Sequence, residues 1–132
     1  MKQRTAPPQA LIAAADSGVI DFALLQQIAR EACTSQESLL DDLADYVARS
    51  YDAGAMSYDA ADRAMNAAYS LSVQEKYLAA NDRTLPSLVI EVYEAFDSGE
   101  YHHHGDTKDI DPEVKYTKPL IKAYLSSARD DA

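Results

Sequence analysis

His102, His103 and His104 are the only histidines, and they stand side by side among Asp97, Glu100, Asp106, Asp109 and Asp111. Imidazole and carboxylate are the ingredients of a first-row metal site or a proton-transfer pair. His102 and His104 share a direction only on an extended chain, and with Asp106 they make the candidate metal set. Helical metal sites take spaced ligands from rigid helices, and no histidine falls on a helix predicted below. Spacing therefore predicts no native metal and no other cofactor. Cys33 is the only cysteine, which excludes an internal disulfide and a cysteine-built zinc site.

A second set is acidic. Glu37, Asp41 and Asp45 are spaced i, i+4, i+8 and stack on one helix face, with Asp42 beside them. Each like-charge pair at that spacing costs about 0.2–0.5 kcal/mol in an isolated helix. The bland account is a solvated face, eased by the nearby helix N-terminus and by Arg49. The functional account is a docking face for a basic protein, formed by Glu37, Asp41, Asp42, Asp45 and Tyr46. Complementary charge speeds encounter and suppresses wrong partners.

Asp62 and Asn66 are a third set, four apart on an alanine-rich stretch. Turned inward, they would need partners, since an unpaired buried polar group costs about 1–3 kcal/mol. A structural role is expected for them, as it is for Thr34 and Asp111. Asp59 and Arg63 are expected to pair. Nine tyrosines stand against two phenylalanines and no tryptophan, a usage that suits core edges and interfaces alike.

The elements that must position these residues read as helices. Pro8 opens a first one, with Leu11, Ile12 and Ala15 on one face and Gly18 as its stop. Asp21 caps a second that carries Leu24, Leu25, Ile28 and Ala32 inward. Thr34-Ser35-Gln36-Glu37 reads as a capping box for a third, with Leu39, Leu40, Leu43, Val47 and Tyr51 inward. Ser57 caps a fourth, Tyr58 to about Ser72, with Ala61, Met65, Ala68 and Tyr69 inside. Gln74–Ala80 either continues it or forms a short helix. Pro86 starts another, with Leu88, Val89, Val92 and Phe96 on a stripe and Gly99 at its C′ position. Residues 100–111 are a polar loop, and Asp111-Pro112 starts a turn. Thr117 caps a last helix with Leu120, Ile121, Tyr124, Leu125 and Ala128 inward. The expected architecture is one all-α domain over residues 1–132. It is a bundle of about six helices with short loops and frayed ends at 1–7 and 129–132.

A net charge of −10 disfavours nucleic acid and anionic membrane surfaces, because phosphate binding needs clustered Lys and Arg. Residues 31–62 carry eight acids against Arg49 alone. No apolar run approaches 18 residues, so no membrane span is expected. The apolar patch at residues 10–15 is closed by Asp16 and is too short for a leader, so a cytoplasmic chain is expected.

Tyr58-Asp59-Ala60-Ala61-Asp62-Arg63-Ala64-Met65-Asn66, Glu91-Val92-Tyr93-Glu94-Ala95-Phe96-Asp97-Ser98-Gly99-Glu100-Tyr101 and Asp111-Pro112-Glu113-Val114-Lys115-Tyr116-Thr117-Lys118-Pro119-Leu120-Ile121 resemble small acidic bacterial proteins of unassigned activity. Some of these look like immunity proteins of interbacterial toxin systems. The resemblance covers about a third of the chain, carries no catalytic signature and supplies no site residues. It implies a non-enzymatic binding protein and no more. Together with the acidic face, the leading expectation is a binding module for a basic protein, with an immunity protein that occludes a basic toxin domain as its narrower form. The alternatives from other classes are a metal-dependent helical enzyme built on the His102–His104 loop and a structural subunit of a homo-oligomer.

Overall fold

The computed structural model describes residues 4–130, with side chains through Ser127, and these residues are all helical or coil. The helices are α1 (Gln9–Ser17), α2 (Phe22–Ala32), α3 (Gln36–Asp52), α4 (Tyr58–Ser72), α5 (Glu75–Ala80), α6 (Ser87–Asp97) and α7 (Lys118–Asp130). A π-helical turn, Glu113–Thr117, runs directly into α7. The all-α class expected from the pattern is present, with Glu75–Ala80 as a short helix of its own. No helix among the described residues is long and apolar enough to cross a membrane.

The core forms where the apolar stripes meet. Leu39, Leu40, Leu43, Val47 and Tyr51 of α3 are buried, as their spacing predicts. They face Ala61, Met65 and Ala68 of α4 and Val89, Val92 and Phe96 of α6, all buried too. Complete burial of side chains such as Leu40, Met65 and Phe96 contributes about 1.5–3 kcal/mol each. Helices α3, α4 and α6 pack on one another, α1 lies on α4, α2 lies on α3, and α7 closes over α3 and α6.

Caps fix where the helices begin. The Ser57 hydroxyl accepts from the Ala60 amide at 3.1 Å, as expected. At α3 the cap is Ser35, which accepts from Ser38 at 3.0 Å, and Thr34 is not the cap. Thr34 is committed to ending α2. Cys33 takes a left-handed conformation at φ 53°, and the Thr34 amide donates to Ala29 O at 3.1 Å.

Other expectations are corrected by packing. Gly99 has no positive φ. It is a close-approach residue: a Cβ there would stand 2.1 Å from Thr117 Oγ1. Thr117 does not cap α7 but is buried at the end of the π turn, where its hydroxyl donates to Ala95 O at 2.7 Å. Leu120 and Ala32 are exposed, and Arg63 bonds Asp16 rather than Asp59. Residues 4–7 are held in place, since Pro7 is buried and Arg4 bonds Asp42. Residues 129 and 130 are helical, whereas 1–3, 131–132 and the Ala128 side chain lie outside the described part.

Candidate functional site

The acidic stripe of α3 turns inward. Asp41 and Asp45 are each only 4% exposed. Asp41 Oδ1 accepts the amides of Leu88 at 3.1 Å and Val89 at 3.2 Å. Helix α6 follows Pro86 and has no capping side chain of its own, so a carboxylate from α3 satisfies its orphan donors. Burial nonetheless pushes the Asp41 carboxyl up, against the lowering effect of those amides. Asp45 accepts from the Tyr124 hydroxyl at 2.6 Å and from Arg49 Nε at 2.8 Å, which ties α3 to α7. Asp42 pairs with Arg4 at 3.2 Å.

Glu37 and Tyr46 are half-buried. Tyr46 sits at the core edge, where it lines a cavity of about 240 Å³ with Ile12 and Met56. The expected docking face of Glu37, Asp41, Asp42, Asp45 and Tyr46 is therefore not an exposed face. Its two central carboxylates hold α6 and α7 in place.

The histidine loop is likewise occupied with its own structure. The His103 ring is stacked between Tyr101 and Tyr116, with centroids at 4.6 and 3.8 Å, and its Nε2 lies 2.9 Å from Ser98 O. His102 Nε2 lies 2.9 Å from Ile110 O, and His104 is exposed. Asp106 accepts from the His103 amide at 2.9 Å, from the Tyr116 hydroxyl at 2.7 Å and from Lys115 Nζ. The Lys115 ammonium, then Tyr116 and the His103 amide, hold the Asp106 carboxyl far below the usual range. His102, His104 and Asp106 do not converge, and among the described residues no three His, Cys, Asp or Glu side chains are placed to hold a metal ion. Asp111 acts as expected, its carboxylate accepting from the Glu113 amide at 3.0 Å.

One cluster of acids without a cationic partner among the described residues lies along the seam of α4 and α6. Asp62 accepts from Asn66 at 3.3 Å on α4. Facing it from the end of α6 are Asp97 and Glu100. The Asp62 carboxyl is pushed up to about 7, first by burial, then by the charge of Glu100 and a hydrogen bond with it, then by Asp97. Among the described residues no Lys or Arg pairs with Asp62, Asp97 or Glu100. Tyr69 of α4 and Tyr93 of α6 are half-exposed and stack face to face, centroids 4.1 Å apart and planes 8° from parallel. Burial, then the charge of Asp97, then Tyr69, Glu100 and Asp62, raise the Tyr93 phenol.

The structural role expected for Asp62 and Asn66 comes down to the bond between them on α4, and sequence reasoning missed Asp97 and Glu100. The only signal for those two was the unbalanced acid content around the loop, because nothing in spacing places residue 100 beside residue 62. Two further bonds tie α6 to its neighbours. Tyr58 donates to Phe96 O at 2.6 Å, and Thr117 donates to Ala95 O. No family model, no curated protein and no solved structure is detectably similar to the chain.

Proposed function

We propose that this chain is a non-enzymatic, cytoplasmic protein-binding module whose α4–α6 seam docks a basic protein. One observation carries the reading. Asp62 sits half-buried on α4 within reach of the charges of Glu100 and Asp97; burial and then those charges push its carboxyl up, with no cation of the described chain to offset them. Like charges packed this way cost stability. A partner's arginine or lysine relieves that cost, and a guanidinium can also lie over the exposed face of Tyr69 or Tyr93. The narrower proposal is an immunity-type protein that occludes a basic toxin domain. It rests on the resemblance in residues 58–66, 91–101 and 111–121, the first and third of which both bond the second, through Tyr58 to Phe96 O and Thr117 to Ala95 O. The lone Cys33 suits a reducing compartment.

The test is to isolate the native complex, identify the partner and measure association at several salt concentrations. Asp97→Lys/Glu100→Lys is expected to leave folding intact and slow association about tenfold or more at low salt, the gap closing as salt rises. Equal rates for the variant and the parent protein would remove the seam as the docking surface.

A further inference from the structure

On its other flank α6 meets α7, and an open groove of about 480 Å³ runs between them. Its apolar lining includes Ile90 and Ala95 of α6 and Leu120 and Ala123 of α7. Leu120 is 44% exposed although it follows the apolar period of its helix. Ala123 is exposed, and its small side chain lets another backbone approach closely. The α6 edge of the groove carries Glu91 and Glu94, both exposed and, among the described residues, without a cationic partner. The lysines of α7 are committed on its opposite face, Lys122 to Asp52 at 2.7 Å and Lys118 to Glu113. The groove thus joins an exposed apolar side on α7 to a mixed apolar and acidic side on α6, where Glu94 stands one turn beyond Ile90.

We propose that this groove receives an amphipathic helical segment of the basic partner. Its apolar stripe lies on Ile90 and Leu120, and its lysines or arginines lie on Glu91 and Glu94. The inference rests on the reading of the chain as a docking module for a basic protein, and it names the shape of the element that docks. Helix α6, about 16 Å long, would then be gripped from both flanks: by cations at the Tyr69–Tyr93 seam and by a helix in the α7 groove. A helix in such a groove reads as anchors at i, i+3, i+4 and i+7.

The probe is an amphipathic Leu/Lys helical peptide of about four turns, titrated into the full 15N-labelled chain, with a Leu/Glu peptide of the same pattern as control. Shifts are expected at Ile90, Ala95, Leu120 and Ala123. Leu120→Asp and Glu91→Lys/Glu94→Lys should each weaken binding about tenfold or more. Val19→Asp, at an exposed site on a distant loop, should leave it unchanged, and circular dichroism should show each variant folded. Shifts confined to Tyr69, Tyr93, Asp97 and Glu100 would overturn the groove proposal and leave the seam standing. No shifts with the Leu/Lys peptide would overturn the groove, while the native-complex measurement decides the seam independently. Equal binding of the Leu/Glu peptide would overturn the charge argument for the groove. So would a dimer of the free chain, seen by light scattering and abolished by Leu120→Asp, since a second copy would then be the occupant.

Discussion

Two acidic regions of the molecule look alike on paper and behave oppositely in space. On α3, Asp41 and Asp45 are buried, and each has partners: two α6 amides for the first, Tyr124 and Arg49 for the second. On the α4–α6 seam, Asp62, Asp97 and Glu100 face one another without a cation among the described residues. The first set positions helices. The second stores repulsion that a bound cation would release. An acidic run is therefore informative about partners only after its internal obligations are subtracted.

The sharpest way to break this contrast is Asp41→Ala. It strands two amides at the buried start of α6 and should cost about 3 kcal/mol, the top of the range for orphaned donors, read as a lower urea midpoint. Asp45→Ala should follow at about 1–3 kcal/mol, because the Tyr124 hydroxyl is left unpaired. If either variant is as stable as the parent protein, the α3 acids are not the polar link between helices.

Gly99→Ala tests the geometry that brings Glu100 to the seam. The new methyl meets the rigid Thr117 side chain, and overpacking of this kind costs about 1–3 kcal/mol. A thermal melt superimposable on that of the parent would show that α6 and the π turn have slack.

The seam itself is expected to show in the pH dependence of stability. The folded Asp62 carboxyl titrates at about 7, above its unfolded value. The native state therefore binds its proton more tightly, and stability falls as pH rises from about 4 toward 7. Asp62→Asn should flatten that slope, matching the parent near pH 4 and exceeding it at pH 8. Asp106 has the opposite sign. Its carboxyl is held low, so its contribution is present above about 4 and is lost as pH falls below that value. Chemical denaturation across pH separates the two, and a parent curve that rises between pH 4 and 7 at the Asp62 position contradicts the uncompensated cluster.

The smallest effect is expected at Tyr77→Phe. The Tyr77 hydroxyl is buried and has no hydrogen-bond partner. Removing it should be neutral or stabilising by up to about 1 kcal/mol, measured by urea titration.

Local sequence determined most of the fold. Apolar residues at helical spacing fixed the inward faces of α3, α4 and α6, since a 3.6-residue period leaves one stripe to bury. Ser57, Gly18 and Pro86 marked helix ends because caps act within a few residues. Asp111 was legible for the same reason. Thr34 was one residue out, because ending α2 and starting α3 compete for neighbouring groups.

The site was less legible. Glu37, Asp41 and Asp45 share a face by their spacing, but spacing does not say whether water or another helix covers it. Only the packing of α6 and α7 on α3 decided that. Tertiary structure also brought Glu100 to Asp62, stacked Tyr69 on Tyr93 and closed Asp106 on Lys115. These contacts join residues 9 to 38 positions apart, a distance over which no local period or cap carries information. The sequence by itself determined which helices form, that the chain is strongly acidic and where its polar loop lies. Which carboxylates are consumed in holding the helices together, and which are left for a partner, was decided only when the helices packed.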